Sequence, residues 1–121
     1  DFIVRGEGEE TIVELVNFID YNVGINPSEI DGVTYRNGAE IVSTPTRAYI
    51  KKLDELPFPA FHLLPIGSYC PHPPFGKRHP FMTIMTSRGC PYNCIFCSKS
   101  IFGNKHRSHS VEYVIEEIKL A

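Results

Sequence analysis

The sequence predicts an α/β fold in three parts. These are the tail of a doubly wound domain over residues 1–22, a proline-rich linker with a β-hairpin over residues 23–80, and the first β/α unit of a partial (β/α) barrel over residues 81–121. An apolar strand followed by an amphipathic helix occurs near each end of the chain, and most of the ten prolines lie between the two pairs. Strands that alternate with helices are typical of parallel sheets, whereas dense proline interrupts regular elements.

The first strand–helix pair opens the chain. Residues 1–5 are interpreted as the end of a buried strand, which a Gly-Glu-Gly turn follows. A helix is predicted to begin near Glu9, because apolar residues then repeat at three, four and seven positions and form one stripe. The stripe consists of Ile12, Leu15, Val16 and Ile19. Such a pair is expected as the last strand and helix of a larger doubly wound domain.

The linker contains a strong hairpin pattern. The dipeptide Asn37-Gly38 lies between the β-type runs 32–36 and 39–42. Asn-Gly supplies the positive φ angles that a two-residue hairpin turn needs. We therefore predict a β-hairpin with a structural role.

The remainder of the linker is predicted to be irregular. A short helical turn is expected over residues 50–56, since Pro57 and Pro59 prevent its continuation. From residue 61 to residue 80 the proline density predicts a strap that crosses a surface. Its expected apolar anchors are Phe58, Phe61, Leu63, Leu64, Ile66, Tyr69 and Phe75.

The second strand–helix pair encloses a long loop. Residues 81–86 are mostly apolar and predict a strand buried on both faces of a parallel sheet. Ser110 is a favourable N-cap for a helix that begins at Val111. The apolar stripe of that helix consists of Val111, Val114, Ile115 and Ile118. In a β/α unit, functional residues lie on the loop that follows the strand.

Three of the four cysteines fall in this loop, as Cys90, Cys94 and Cys97. Cysteine thiolates at short spacings of this kind ligate iron–sulfur clusters. Three local cysteines leave one iron of a 4Fe–4S cluster without a protein ligand, and an open position keeps a metal available for chemistry. Cys70 stands apart and is interpreted as a free or buried thiol.

The cysteine spacing, with Phe96 directly before the last cysteine, resembles the signature of the radical S-adenosylmethionine (radical SAM) enzymes. Three further runs resemble the branch that has a cobalamin-binding domain before the radical SAM domain. That branch includes magnesium-protoporphyrin ester cyclase-like proteins and cobalamin-dependent radical methylases. The runs are Thr-Ser-Arg-Gly-Cys-Pro at 86–91, the stretch from Phe102-Gly103 to Arg107-Ser108, and Leu-Asp-Glu-Leu-Pro-Phe-Pro at 53–59.

The resemblance extends over nearly the whole chain, and it implies that the chain corresponds to the middle of such a protein. It implies that residues 1–22 end a cobalamin-binding-like domain and that residues 81–121 begin the catalytic domain. The usual cobalt-ligating motif, Asp-x-His-x-x-Gly, is absent from this sequence. The segment alone is expected to be inactive, because the rest of the barrel shapes the substrate cavity.

The resemblance also implies a reaction. Cys90, Cys94 and Cys97 would ligate a 4Fe–4S cluster whose open iron binds S-adenosylmethionine, and Phe96 would place its ring beside the adenine. One electron then cleaves a carbon–sulfur bond, which yields methionine and a 5′-deoxyadenosyl radical that abstracts hydrogen from a small-molecule substrate. The outcome is methylation or oxidative cyclisation. Expected partners are an electron donor such as flavodoxin or ferredoxin and, in the full-length protein, cobalamin.

A zinc-stabilised binding module is the alternative reading of the three cysteines. Zinc prefers a closed tetrahedron of four protein ligands, and Cys70, His106 or His109 would supply the fourth. The spacing favours the cluster, since zinc cysteines normally come as two Cys-x-x-Cys pairs. A ferredoxin-like electron-transfer cluster would need a fourth cysteine nearby. The remaining histidines, which are interpreted as structural, are His62, His72 and His79.

Charge and composition limit the other functions. The formal net charge is −2, yet no Asp or Glu lies between Glu55 and Glu112, where six Lys and Arg residues surround the cysteines. This basic stretch suits an anionic cluster, a bound carboxylate or an anionic substrate, and its alternative is an ordinary solvated surface. Within it Arg88 and Lys99 could balance the cluster charge or be solvated. Nucleic-acid binding is a third hypothesis, which the basic stretch suggests and which the cluster motif outweighs, because no RNA-binding fold or stacking motif accompanies the stretch. No run is long enough to span a membrane, and clustered cysteines without a secretion signal indicate a metal site in the reducing cytoplasm.

Overall fold

A computed structural model describes residues 1–21, 26–70 and 80–121. Its regular elements are β1 (Phe2–Val4), α1 (Glu9–Tyr21), β2 (Val33–Asn37), β3 (Glu40–Ser43), β4 (Ser87–Arg88), β5 (Arg107–Ser108) and α2 (Val111–Leu120). Short 3₁₀ turns occur at Pro27–Glu29, Leu53–Glu55, Phe61–Leu63 and Ile66–Ser68. The chain divides into two compact units: Asp1–Ile50 with Gly89–Lys105, and Lys51–Arg88 with His106–Ala121.

The first unit contains a three-stranded antiparallel sheet in the order β1-β2-β3. The predicted hairpin is confirmed, although its turn lies one residue later than expected. Asn37 pairs with Glu40, so the two turn residues are Gly38 and Ala39, and Gly38 has a φ of 62°. The positive φ that the turn requires is therefore taken by the glycine at the first central position.

Residues 1–5 contain the predicted strand, but the prediction that this strand is buried is wrong. β1 pairs antiparallel with β2, with Phe2 opposite Tyr35, and Ile3 is 63% exposed. The ring of Phe2 stacks on Tyr35 at a centroid distance of 5.9 Å. Because β2 offers one edge to β3 and the other to β1, the hairpin gives β1 a local antiparallel partner.

Helix α1 begins at Glu9 as predicted, but a different face of it is buried. Thr11 and Leu15 are buried and Phe18 is partly buried, whereas most of the predicted stripe is exposed. Leu15 forms the core of this unit with Ile30 and Val33. The sheet and the segment before β2 therefore select the face at positions 11, 15 and 18. The exposed stripe residues are Ile12, Val16 and Ile19.

The segment that follows β3 is bound to this core by polar contacts. Thr44 donates its hydroxyl to the carbonyl of Val33 and accepts from the amide of Val33, at 3.0 and 2.9 Å. The guanidinium of Arg47 donates to Thr11 Oγ1 at 2.8 Å and forms ion pairs with Glu10 and Glu14. These contacts hold the segment 44–47 against β2 and α1.

In the second unit the predicted strand over residues 81–86 is wrong. Those residues have no regular structure, and the strand is limited to β4, which pairs antiparallel with β5. A parallel strand needs neighbouring strands with which to form its hydrogen bonds, and the described residues of this unit supply only the short β5. Over its described residues the structure thus shows a small α/β chain with two helices and small antiparallel sheets, and those residues do not confirm a doubly wound sheet or a barrel unit.

Helix α2 begins where the sequence predicts. Ser110 is its N-cap and accepts a hydrogen bond from the amide of Tyr113. The predicted stripe is again largely exposed, with Val111 at 69%, and the residue that α2 buries is Glu117. No described helix has the length and apolarity that crossing a bilayer requires.

The linker agrees with its prediction in part. The helical turn before Pro57 is confirmed at Leu53–Glu55, with Leu53 buried. Two further 3₁₀ turns interrupt the strap, in which Leu63 is 74% exposed and does not act as an anchor. The strap residues Phe75, His72 and His79 lie outside the described part of the chain.

Candidate metal centre

The cysteine loop, residues 89–105, connects β4 to β5. The chain enters and leaves it side by side, since Ser87 pairs with Ser108 and Arg88 pairs with Arg107. Within the loop, the amide of Cys90 donates to the carbonyl of Gly103 at 3.4 Å. The loop is therefore closed by backbone contacts on itself.

A tight turn connects the second and third cysteines, Cys94 and Cys97. The amide of Cys97 donates to the carbonyl of Cys94 at 3.2 Å, which makes Ile95 and Phe96 the central residues of the turn. Both are strongly exposed, Ile95 at 103% and Phe96 at 89%. The turn thus explains the Cys-x-x-Cys spacing and presents two apolar side chains beside the thiols.

Two glycines close the loop, and both have positive φ angles, 77° at Gly89 and 69° at Gly103. A Cβ atom on Gly89 would lie 2.1 Å from the carbonyl oxygen of Lys105. A Cβ atom on Gly103 would lie 2.6 Å from the ring of Tyr49. At Gly89 the neighbouring backbone leaves room for glycine alone, whereas at Gly103 a Cβ atom would require the ring of Tyr49 to move.

The three predicted ligands lie in one loop and are all exposed and free of disulfides. Among the described residues, no three or more His, Cys, Asp or Glu side chains are grouped closely enough for a single metal ion. The donor set still fits a 4Fe–4S cluster, because accessible thiols on a glycine-closed loop are the ligands that such a cluster uses and a cube is larger than one ion.

The other candidate ligands, Cys70, His106 and His109, belong to the second unit. Cys70 is exposed and belongs to the second unit, where its thiol contacts the carbonyl of Ser68 at 3.7 Å. His106 is exposed, and His109 is engaged by Asp54, since its Nδ1 lies 3.1 Å from a carboxylate oxygen. The ring of His109 also stacks on Tyr113 at 4.2 Å. The contacts of His109 with Asp54 and Tyr113 are therefore those of a structural histidine.

Arg88 and Lys99, the basic residues suggested to balance the cluster charge, lie in different parts of the chain. Arg88 lies in β4, and Lys99 donates to the side-chain oxygen of Asn93 at 2.6 Å within the cysteine loop. This contact gives Asn93, to which no role was assigned from the sequence, a place in the loop structure. Both side chains are half-buried, and of the two it is Lys99 that lies inside the loop.

Sequence reasoning did not find Tyr49 or Asp54. Tyr49 contacts the cysteine loop at Gly103, and Asp54 contacts the residues at the loop exit. Tyr49 has no distinguishing pattern around it. Asp54 stands in the family-like run 53–59, which marks the segment but does not reveal its contact 55 residues away.

The fold and the cysteine loop together define an α/β segment that presents three thiols beside exposed apolar side chains. The chain is 43% identical over 121 residues to an uncharacterized methyltransferase of Pyrococcus horikoshii, a match that covers 99% of this chain and 25% of the relative. It is 33% identical over 120 residues to an anaerobic magnesium-protoporphyrin IX monomethyl ester cyclase of Cereibacter sphaeroides, with coverages of 98% and 19%. It is 32% identical over 120 residues to a hopanoid C-3 methylase of Methylococcus capsulatus, with coverages of 98% and 21%.

These relatives confirm the resemblance to the radical SAM methylases and cyclases that the cysteine motif indicates. They are enzymes by name, so the prediction of an enzyme is confirmed at this level. The chain spans about a quarter of the methyltransferase and about a fifth of the other two relatives. No protein-family model and no solved structure matches the chain.

Proposed function

We propose that this chain is the cluster-binding segment of a radical SAM enzyme, in which Cys90, Cys94 and Cys97 ligate a 4Fe–4S cluster. The observation that supports this proposal best is the placement of three free, exposed thiols on one glycine-closed loop. The relation of nearly the whole chain to methyltransferases and cyclases supports it independently.

The residues of the loop have separate tasks in this proposal. Gly89 and Gly103 allow the backbone to close, so that the thiolates project from a fixed base. Phe96, whose ring is exposed beside Cys97, offers a surface on which the adenine of S-adenosylmethionine can stack. The bound cluster would supply one electron for the reductive cleavage of S-adenosylmethionine to the 5′-deoxyadenosyl radical, which starts methylation or oxidative cyclisation of a small-molecule substrate.

The wider assignment follows from the same resemblance. Residues 1–22 are proposed to end a cobalamin-binding-like domain, residues 23–80 to link it, and residues 81–121 to begin the catalytic domain. Cobalamin and an electron donor such as flavodoxin or ferredoxin are proposed as partners of the full-length protein. Free thiols persist in a reducing compartment, so we propose a cytoplasmic location.

Metal analysis of anaerobically purified protein tests the proposal. We expect a brown, oxygen-sensitive protein with about four irons per chain and the broad visible absorption of an iron–sulfur cluster. Replacing Cys94 with Ala should abolish that absorption. Cys70→Ala is the matched control, because Cys70 is equally exposed but lies outside the cysteine loop, and it should retain full iron content.

Two results would contradict the assignment. Full cluster content in Cys94→Ala would show that Cys94 is not a ligand. One colourless zinc per chain, together with unfolding by a chelator, would favour the zinc-stabilised binding module instead.

A further inference from the structure

We propose that Asp54 is a positioning residue for the cysteine loop, because it fixes the chain where it leaves the loop and enters α2. It acts through His109 and Ser110, which are 55 and 56 residues away in sequence. The cluster-related part of this proposal rests on the proposed function, whereas the contact at the loop exit does not.

The carboxylate of Asp54 is the acceptor for two groups at the start of α2, the amide of Ser110 and the ring of His109. The amide of Ser110 donates to its two oxygens at 3.0 and 3.2 Å, and His109 Nδ1 lies 3.1 Å from one of them. Ser110 is the helix N-cap, and its hydroxyl accepts from the amide of Tyr113. The hydroxyl of Ser110 therefore caps an amide of the first helical turn, while Asp54 adds a negative charge at the positive end of the helix dipole.

The ionised form of Asp54 makes these contacts. Hydrogen bonds from Ser110, and after them the hydrogen bond and charge of His109, hold the pKa of Asp54 below its ordinary value. Asparagine at this position would keep one acceptor oxygen and lose the charge. The two contributions can therefore be separated by substitution.

Further contacts of the run 53–59 hold the same helix turn. The hydroxyl of Tyr113 donates to the carbonyls of Leu56 and Pro57 at 3.3 and 3.4 Å. The ring of Tyr113 contacts Phe58, at a centroid distance of 4.5 Å, and His109, at 4.2 Å. The linker run that resembles the family pattern thus has a physical task, which is to fix the beginning of α2.

The beginning of α2 is also the end of the loop base. The amide of His109 donates to the carbonyl of Thr86 at 3.0 Å, directly before β4. β5 ends one residue earlier and pairs with β4. Asp54 therefore holds His109, and His109 links the segment that enters the cysteine loop to the segment that leaves it. The separation of these two segments is fixed in this way. Thiolates on a loop with fixed ends are better ordered for a cluster than thiolates on a loop with free ends.

The test compares Asp54→Ala and Asp54→Asn with Glu55→Ala in the intact protein. Glu55 is the matched control: it is the next acidic residue in the same run, its side chain is 70% exposed, and it pairs with Lys52 at the surface. In metal-free protein we expect amide hydrogen exchange at His109 and Ser110 to be about fivefold faster in Asp54→Ala, the size expected for loss of one helix cap, with Asp54→Asn between it and wild type.

In anaerobically reconstituted protein the second readout is the electron paramagnetic resonance spectrum of the reduced cluster. We expect Asp54→Ala to have less cluster per folded chain and an altered line shape on addition of S-adenosylmethionine, with partial recovery in Asp54→Asn and no change in Glu55→Ala. A purely structural role would lower the melting temperature and leave cluster content per folded chain and line shape unchanged.

The outcomes are distinct. Wild-type exchange in Asp54→Ala overturns the contact at the loop exit, and faster exchange with an unchanged cluster spectrum overturns the positioning role. If wild-type protein binds no cluster, the proposed function fails, and with it the cluster-related part, while the exchange measurement still decides whether Asp54 fixes the loop exit. If Asp54→Ala does not fold, Asp54→Asn provides the same comparison.

Discussion

The closure of the cysteine loop at Gly89 gives the sharpest prediction. Gly89 and Gly38 both belong to the first unit and both have positive φ angles, 77° and 62°. They differ in space, because a Cβ atom on Gly38 has no heavy atom within 4 Å, whereas one on Gly89 lies 2.1 Å from the carbonyl oxygen of Lys105. Replacing each with Ala therefore separates the conformational cost from the steric cost.

The two costs differ in size. Alanine at a positive φ costs about 1–2 kcal/mol, which is all that Gly38→Ala should lose in free energy of unfolding. In Gly89→Ala the backbone oxygen must also move by almost 1 Å to reach the 3.0 Å below which real Cβ contacts are essentially absent. Overpacking of this kind adds about 1–3 kcal/mol, so Gly89→Ala should lose roughly 2–5 kcal/mol.

Urea denaturation followed by circular dichroism measures both losses, and iron content per folded chain reports the loop itself. We expect Gly89→Ala to be the less stable variant and to bind less iron, while Gly38→Ala retains the iron content of wild type. Equal stability losses in the two variants, with wild-type iron content in Gly89→Ala, would refute the steric argument for loop closure.

Three further predictions follow from other contacts. Gly103→Ala should lower cluster content because its Cβ meets the ring of Tyr49, and the second substitution Tyr49→Ala should restore part of that content; no recovery would mean that the positive φ of Gly103 alone limits the loop. Arg47→Ala should lower the free energy of unfolding by about 1–3 kcal/mol in urea denaturation, because it removes charged hydrogen bonds to α1, and a change below the measurement error would show that those ion pairs add nothing. Because the pKa of Asp54 is lowered in the folded chain, its stabilising contribution is present above the ordinary aspartate pKa and is lost as the pH falls through the lowered value. The difference in free energy of unfolding between wild type and Asp54→Asn should therefore be present near neutral pH and vanish in acid. A difference that does not change with pH would contradict the charge argument.

Local patterns predicted the elements that depend on a few neighbouring residues. The start of α1 near Glu9, the hairpin at Gly38 and the N-cap at Ser110 are all confirmed. Each depends on a backbone requirement met within about four residues, such as a positive φ or an unpaired helix amide. The cysteine spacing belongs to the same class, and it indicated the group of enzymes to which the relatives belong.

Packing could not be predicted in the same way. Apolar periodicity marked Ile12, Leu15, Val16 and Ile19 as the buried side of α1, yet of these four the structure buries Leu15 alone, together with the polar Thr11. Residues 81–86 have the composition of a buried parallel strand but lack regular structure, since composition does not supply the neighbouring strands. An apolar stripe or an apolar run indicates which residues can be buried. Which of them are buried depends on the surface that packs against the element.

The thiol set, the glycine turns and the helix starts could be read from the sequence, because each is specified by residues that are neighbours along the chain. The pairing of β1 with the hairpin, the place of Tyr49 against Gly103 and the contact of Asp54 with His109 became visible in the folded chain. The physical reason is distance along the chain: a contact between residues about 50 positions apart depends on how every intervening segment folds, and no short pattern encodes that path.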